Sequence, residues 1–247
     1  MARCLLICGA HPDDETFFAG TMAKYVGEGA RVSVLCATRG ERGNTADLCS
    51  IPELPKLREA ELRRSMRVLG LRDEDVFFLP YEDQKLHLAH LEEARAHIVR
   101  VIRAVRPQVV VSFDAHGANG HTDHVAMSRF VSDAVPSAAD ERCCPEASKP
   151  WVVQRLLWQP PHLPWRLPAG TNISSCFGTD FLIDIRQFAD KKRAAILEHK
   201  TQLPGLEHLY LLNGNTEWTL NREVFRLAWG PRPKRVPSSD LFEGLKL

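Results

Sequence analysis

Short apolar runs alternate with helical stretches along most of this chain, and that alternation restricts the possible fold more than any other feature. Arg3 to Cys8 precedes a helical pattern over Thr16 to Glu28, and Val32 to Ala37 precedes one over Lys56 to Leu69. Val76 to Leu79 leads to the stripe Leu91, Ala94, Ile98, Val101, Ile102 and Val105, Val109 to Phe113 to a helix over Val125 to Ala134, and Phe181 to Ile185 to one over Gln187 to His199. Near-continuous, β-branched runs suit strands covered on both faces. Five strand–helix units therefore predict an α/β fold of three layers, a mostly parallel sheet with helices on both faces. The 247 residues fit one domain over 1–247. Two parts of it break the pattern. In 136–180 a polar loop precedes a strand over Trp151 to Gln159, and four prolines before Gly170 forbid regular structure. A closing helix is predicted from about Glu217 to Trp229, followed from residue 230 by a basic, Pro-rich tail that reads as solvated.

In open α/β sheets ligands bind outside the carboxyl ends of the strands. The first strand ends in Gly9-Ala10-His11-Pro12-Asp13-Asp14-Glu15. A His and an Asp three residues on can grip one cation from a single turn, leaving Asp13 beside it as a base. A plain structural reading competes, because acids favour the first turn of a helix; on this stretch alone the two stand even. The tie is broken by His116-Gly117-Ala118-Asn119-Gly120-His121-Thr122-Asp123-His124, which also follows an apolar strand and opens a helix. Two strand ends rich in His and Asp meet in space if their strands are neighbours. The fold is Rossmann-like in shape only, since the first turn has no GxGxxG and its acids would repel a pyrophosphate.

Together His11-Pro12-Asp13-Asp14-Glu15 and Gly120-His121-Thr122-Asp123-His124 resemble the motifs of the LmbE-like or PIG-L-type zinc-dependent N-acetylglucosamine de-N-acetylases. Thr38-Arg39-Gly40-Glu41, Arg58 to Gly70 and His199-Lys200-Thr201-Gln202 support the resemblance, which covers most of 3–135 and roughly 180–202. It implies a metal-dependent hydrolase that removes acetyl from an N-acetylglucosamine conjugate. His11, Asp14 and His124 would hold one Zn2+ per chain, although these ligands also admit another divalent ion. Asp13 would be the base, His121 would stabilise the oxyanion and share protonation of the amine with Asp13, and Asp123 would orient His121. Arg58, Asp83, Asn119 and His199 would bind substrate. One branch of the family has tyrosine where Asn119 stands, and many members have proline where Thr122 stands. His116 receives no role.

The remaining residues set limits. On the helix over Lys56 to Leu69, Leu62, Met66 and Leu69 form the buried stripe; Arg58, Glu61 and Ser65 lie on another face, and for Arg58 a solvated and a substrate-binding reading stand even. His87, His90, Arg95, Arg100 and Arg103 read as surface residues. Trp151, Trp158 and Trp165 are candidates for a wall around the aglycone. A net charge of +1 shows no footprint for nucleic acid. No run approaches the ~20 apolar residues of a membrane span, and no signal peptide fits Met1-Ala2-Arg3. Seven cysteines without CxxC spacing point to reduced thiols in the cytoplasm; Cys4, Cys8 and Cys36 read as core and Cys143-Cys144 has no assigned role. The expected partner is a small amino-sugar conjugate with a polar aglycone; a homo-oligomer is compatible with the chain but not required. Two alternatives stay open: an amidase for a larger thiol or antibiotic conjugate, and a non-catalytic metal- or sugar-binding module, against which the spare base Asp13 argues.

Overall fold

The structure is a computed structural model that describes residues 2–160, 178–212 and 216–247. In chain order the elements are β1 (Cys4–Gly9), α1 (Ala19–Gly27), β2 (Arg31–Cys36), α2 (Leu54–Leu69), β3 (Val76–Phe78), α3 (Leu91–Val105) and β4 (Val109–Phe113). A single turn α4 (Gly117–Gly120), α5 (Thr122–Ser137), β5 (Arg155–Gln159), β6 (Phe181–Asp184), α6 (Ala189–Leu197), α7 (Leu203–Tyr210), α8 (Thr216–Asn221) and β7 (Arg222–Trp229) follow. Among the described residues the strands form one sheet in the order β3-β2-β1-β4-β5-β7-β6.

The parallel strands β1 and β4 are neighbours, with Leu5, Leu6 and Ile7 opposite Val109, Val110 and Val111. The chain leaves β1 for β2 on one side and returns to β4 on the other. The crevice between their carboxyl ends is therefore the switch point at which such sheets bind ligands. Alternate strand residues face opposite layers. Leu5, Ile7, Val34 and Val111 pack under α1 and α2, while Leu6, Cys8, Leu35 and Val110 pack under α3 and α5. Gly70, at φ 94°, provides the left-handed cap that ends α2.

Several expectations need correction. Residues 222–229 are strand, not helix: β7 runs antiparallel to both β5 and β6, against the direction of the other strands. Its period is two, with Glu223 and Phe225 buried while Arg222 and Arg226 are exposed. In α6, Lys192, Ala195 and Ile196 are buried, while the apolar Leu197 is exposed. The tail is not solvated as a whole. Its basic residues Arg232, Lys234 and Arg235 are exposed, but Leu241 and Phe242 are buried. Leu241 N donates to the Tyr25 hydroxyl, which donates to Asp240, and the fully buried Arg155 donates to the carbonyls of Pro231, Leu241 and Glu243. Arg103 is also buried, bonded to the carbonyls of Ala138, Asp140 and Cys144. Trp151 donates to Pro107 O, at the end of β4 away from the crevice, and Trp158 packs in the layer beside α3 and α5; neither is a wall of the site. Trp165 and the run over 161–177 lie outside the described residues. No helix among the described residues is long and apolar enough to cross a membrane.

Candidate active site

The chain leaves β1 through a tight turn. Asp14 folds its carboxylate back so that Oδ2 accepts the amides of Ala10 and His11, both at 2.7 Å. Its Oδ1 lies 3.1 Å from His124 Nε2, His124 Nε2 lies 3.3 Å from His11 Nδ1, and His11 Nδ1 lies 3.6 Å from Asp14 Oδ2. Ligand atoms bonded to one tetrahedral ion at ~2.0–2.1 Å stand roughly 3.3 Å apart, so the three side chains fit a divalent metal. Their remaining groups agree. His124 Nδ1 pairs with Gly117 O at 3.2 Å, and its ring stacks on Phe113 at 4.1 Å between centroids. His11 Nε2 faces Asp83 Oδ1 at 3.1 Å and Asp123 Oδ2 at 3.2 Å. Partners of this kind fix the tautomer and turn the opposite nitrogen toward a metal. Burial alone would strip His11 of its proton; hydrogen bonds to Asp123 and Asp83 and the charge of Asp14 reverse this and lift its pKa to about 10. A cation at Nδ1 must displace that proton, so binding releases it. His11, His121 and His124, and His11, Asp83 and Asp123, also lie within ligand reach of one another; in the His11–Asp14–His124 triangle the separations run from 3.1 to 3.6 Å. The carboxylates of Asp83 and Asp123 act on the far side of the His11 ring.

Asp13 follows at φ 133°, ψ −20°, a conformation that side chains rarely adopt. Its carboxyl is pushed up to about 6 by burial and by Asp14, against the pull of Arg58. Arg58 is buried and committed: Nη1 donates to Gly40 O, Nη2 to Pro12 O, and Nη2 lies 3.2 Å from Asp13 Oδ1. Its Nη1 and Nη2 hold the turn and the base, while Nε has no partner among the described residues and the side chain also lines the cavity. The glycines of the loop after β2 make this possible, because a Cβ at Gly40 would stand 2.0 Å from Arg58 Nη1 and one at Gly43 2.5 Å.

Three other assignments change. Asp123 does not hold His121 by its carboxylate, which is engaged by His11 and by the amides of Gln84 and Leu86; its backbone amide donates to His121 Nδ1 instead. Asp83 orients His11 and accepts the amide of Arg42, although it also lines the cavity. His199 is fully buried, bonded to Glu15, and lines no part of the cavity, so it does not touch substrate. Asn119 lines the cavity, and its Oδ1 accepts the amide of His121. His87 and His90 are exposed, as expected. The cavity measures about 270 Å³. His11, Asp13, Asp14, His121 and His124 form one side, and Phe17, Leu206 and Leu209 give it an apolar wall.

Sequence reasoning misses Glu15, Glu61 and Ser65 as parts of the site's support. Arg58, Glu61 and Ser65 recur along α2 at helical spacing and are all buried. Arg58 reaches the turn after β1, Ser65 reaches Glu15, and Glu61 binds Thr201 through both its amide and its hydroxyl. The signal is a polar stripe of constant period.

A sequence profile of the PIG-L family, described as GlcNAc-PI de-N-acetylase, matches residues 6–135, the span that holds the whole triangle and the base. The chain belongs to the PIG-L family. The family is metal-dependent. A 1D-myo-inositol 2-acetamido-2-deoxy-alpha-D-glucopyranoside deacetylase of Geodermatophilus obscurus is 34% identical over 99% of this chain and 98% of its own. Among solved structures, a conserved protein from Thermus thermophilus superposes with a TM-score of 0.70 at 28% identity, covering 96% of this chain and 98% of its own. The 4-carboxy-2-hydroxymuconate hydratase of Pseudomonas putida superposes at 0.71 with 19% identity, covering 95% and 99%. That likeness is of fold alone; activity must be argued from the site.

Proposed function

We propose that this PIG-L family protein hydrolyses the acetamide of an N-acetylglucosamine unit joined to a polar, hydroxylated aglycone, with Zn2+ held by His11, Asp14 and His124. The observation that carries the reading is the carboxylate of Asp13 beside that triangle, on a cavity of sugar size. Binding alone has no use for such a base. The relative from Geodermatophilus obscurus, named for an inositol-linked substrate, supports the aglycone class.

Zinc bound there supplies a water that ionises near neutral pH and a Lewis acid for the acetyl carbonyl. Asp13 accepts the proton of the attacking water and carries it toward the departing amine. His121 Nδ1 accepts the amide of Asp123, so the ring proton resides on Nε2. Burial and the neighbouring His11 and His124 lower its pKa. His121 therefore acts as a neutral donor to the oxyanion, and Asn119 steadies its backbone. Arg58 keeps the Asp13 carboxylate turned into the cavity. A cytoplasmic setting belongs to the proposal and is supported by the unpaired, buried thiols of Cys4, Cys8 and Cys36.

The test is acetate release from N-acetylglucosaminyl-inositol and from free N-acetylglucosamine, with metal analysis of the same sample. Acetate and free amine in equal amounts, at one divalent ion per chain, are expected. A fully metal-loaded protein that releases none from either compound would falsify the reading.

A further inference from the structure

The conformation of Asp13 has to be held, and the structure shows by what. Its amide donates to Glu15 Oε2 at 3.0 Å, and its carbonyl accepts Thr16 N at 3.0 Å and Thr16 Oγ1 at 2.6 Å. Glu15 is held from behind: Oε1 accepts Ser65 Oγ of α2 at 3.0 Å and faces His199 Nε2 at 2.5 Å. We propose that Glu15, buttressed by Ser65 and His199, is a positioning residue that fixes the Asp13 carboxylate for proton transfer. This rests on the reading of Asp13 as the base.

Three observations support it. Glu15, Ser65 and His199 are at most 2% exposed and none lines the cavity, so none can act on substrate directly. His199 Nδ1 is buried with no hydrogen-bond partner among the described residues. A polar atom left so is costly, and an apolar side chain would fill the space without that cost; what the imidazole adds is its bond to Glu15. Finally, the segment carrying His199 is itself anchored, because Glu61 accepts both the amide and the hydroxyl of Thr201. Two distant parts of the chain thus converge on one carboxylate, and that carboxylate grips the amide of Asp13.

The test is a double-mutant cycle on the metal-loaded protein with Glu15→Gln, Asp13→Asn and the pair. A glutamine side chain cannot accept at both positions that Glu15 uses. Glu15→Gln should lower kcat by up to about 100-fold, the cost of a base displaced by about an ångström, with KM within about twofold and the metal content unchanged. In the Asp13→Asn background it should cost nothing further, because a positioning residue acts only through its partner. A full Glu15→Gln loss that persists without Asp13, a wild-type kcat, or a loss confined to KM overturns the proposal. Ser65→Ala removes one hydroxyl and carries the same expectation if Glu15→Gln does not fold; a wild-type kcat there is equally fatal. A crystal structure of the variant decides independently of turnover: the Asp13 carboxylate should leave its contact with Arg58, and an unmoved carboxylate refutes positioning. Failure of the wild-type protein to deacetylate would refute the functional reading instead.

Discussion

Two buried clusters of charge in this protein use the same kinds of side chain to opposite ends. Behind α1, Lys192 is paired with Glu223 at 2.7 Å, and Glu223 also accepts the amides of Gly20 and Thr21. The Lys192 ammonium lies over the ring of Tyr210, and the pair lines no part of the active-site cavity. At the crevice between β1 and β4, Asp13 and Asp14 are held from the protein side and line the cavity on the other, and His11 and His124 are oriented from their outer sides. The closed cluster has its bonding directions taken up within the core and ties α1, α6 and β7 together. The open one keeps directions in reserve, and those directions are its chemistry. Charge in a core is thus informative about function only when one asks what remains unbonded.

The comparison breaks most sharply by removing metal. Dialysis against a chelator should abolish acetate release while the closed cluster keeps the protein folded, and one equivalent of Zn2+ should restore it; circular dichroism alongside the assay checks both. Asp13→Asn should keep the metal and lower kcat by ~10²–10⁴-fold, since an amide cannot accept the proton; elemental analysis with steady-state kinetics would show it, and unaltered turnover would remove Asp13 from the mechanism. Lys192→Met sharpens the other side. It leaves a buried carboxylate without its cation, which costs about 3–5 kcal/mol of stability, yet kcat per folded molecule should stay within about twofold. Urea denaturation paired with active-site titration separates the two, and a stable but inactive variant would merge the clusters. The smallest effect is expected from Phe113→Leu, which removes the ring stacked on His124. Aromatic pairs of this kind contribute about 0.5–1.5 kcal/mol, so metal affinity should weaken by roughly tenfold or less in competition with a chromophoric chelator.

Much of this is legible in the sequence, for identifiable reasons. The metal triangle is readable because its residues lie in two short motifs at strand ends, and one pairing, β1 with β4, brings those ends together. The polar support is hard to read because hydrophobic patterning sends Arg58, Glu61 and Ser65 to solvent, whereas here a second polar layer covers them. Asp123 is misread by a matter of atoms: its neighbour His121 takes the amide, and the carboxylate reaches His11 across the turn. β7 reads as helix because Val224, Phe225, Leu227 and Trp229 suit either period when the strands they pair with are far away in sequence. The tail reads as free because Pro and Arg dominate its first residues, while Leu241 and Phe242, which anchor it, come last.

That anchoring bears on how the molecule is made. Tyr25 on α1 finds its hydroxyl partners at Asp240 and Leu241, some 215 residues later. Arg155 binds three carbonyls of the same late segment. During synthesis the first strand and helix emerge some 215 residues before the segment that caps one end of them. Contacts so far apart in sequence form slowly, and until they form the Tyr25 end of α1 lacks the cover of Phe242. The end of α1 opposite the catalytic turn is therefore completed after the strands beside it, and a nascent chain stalled before residue 240 should still be open there to chaperones and proteases.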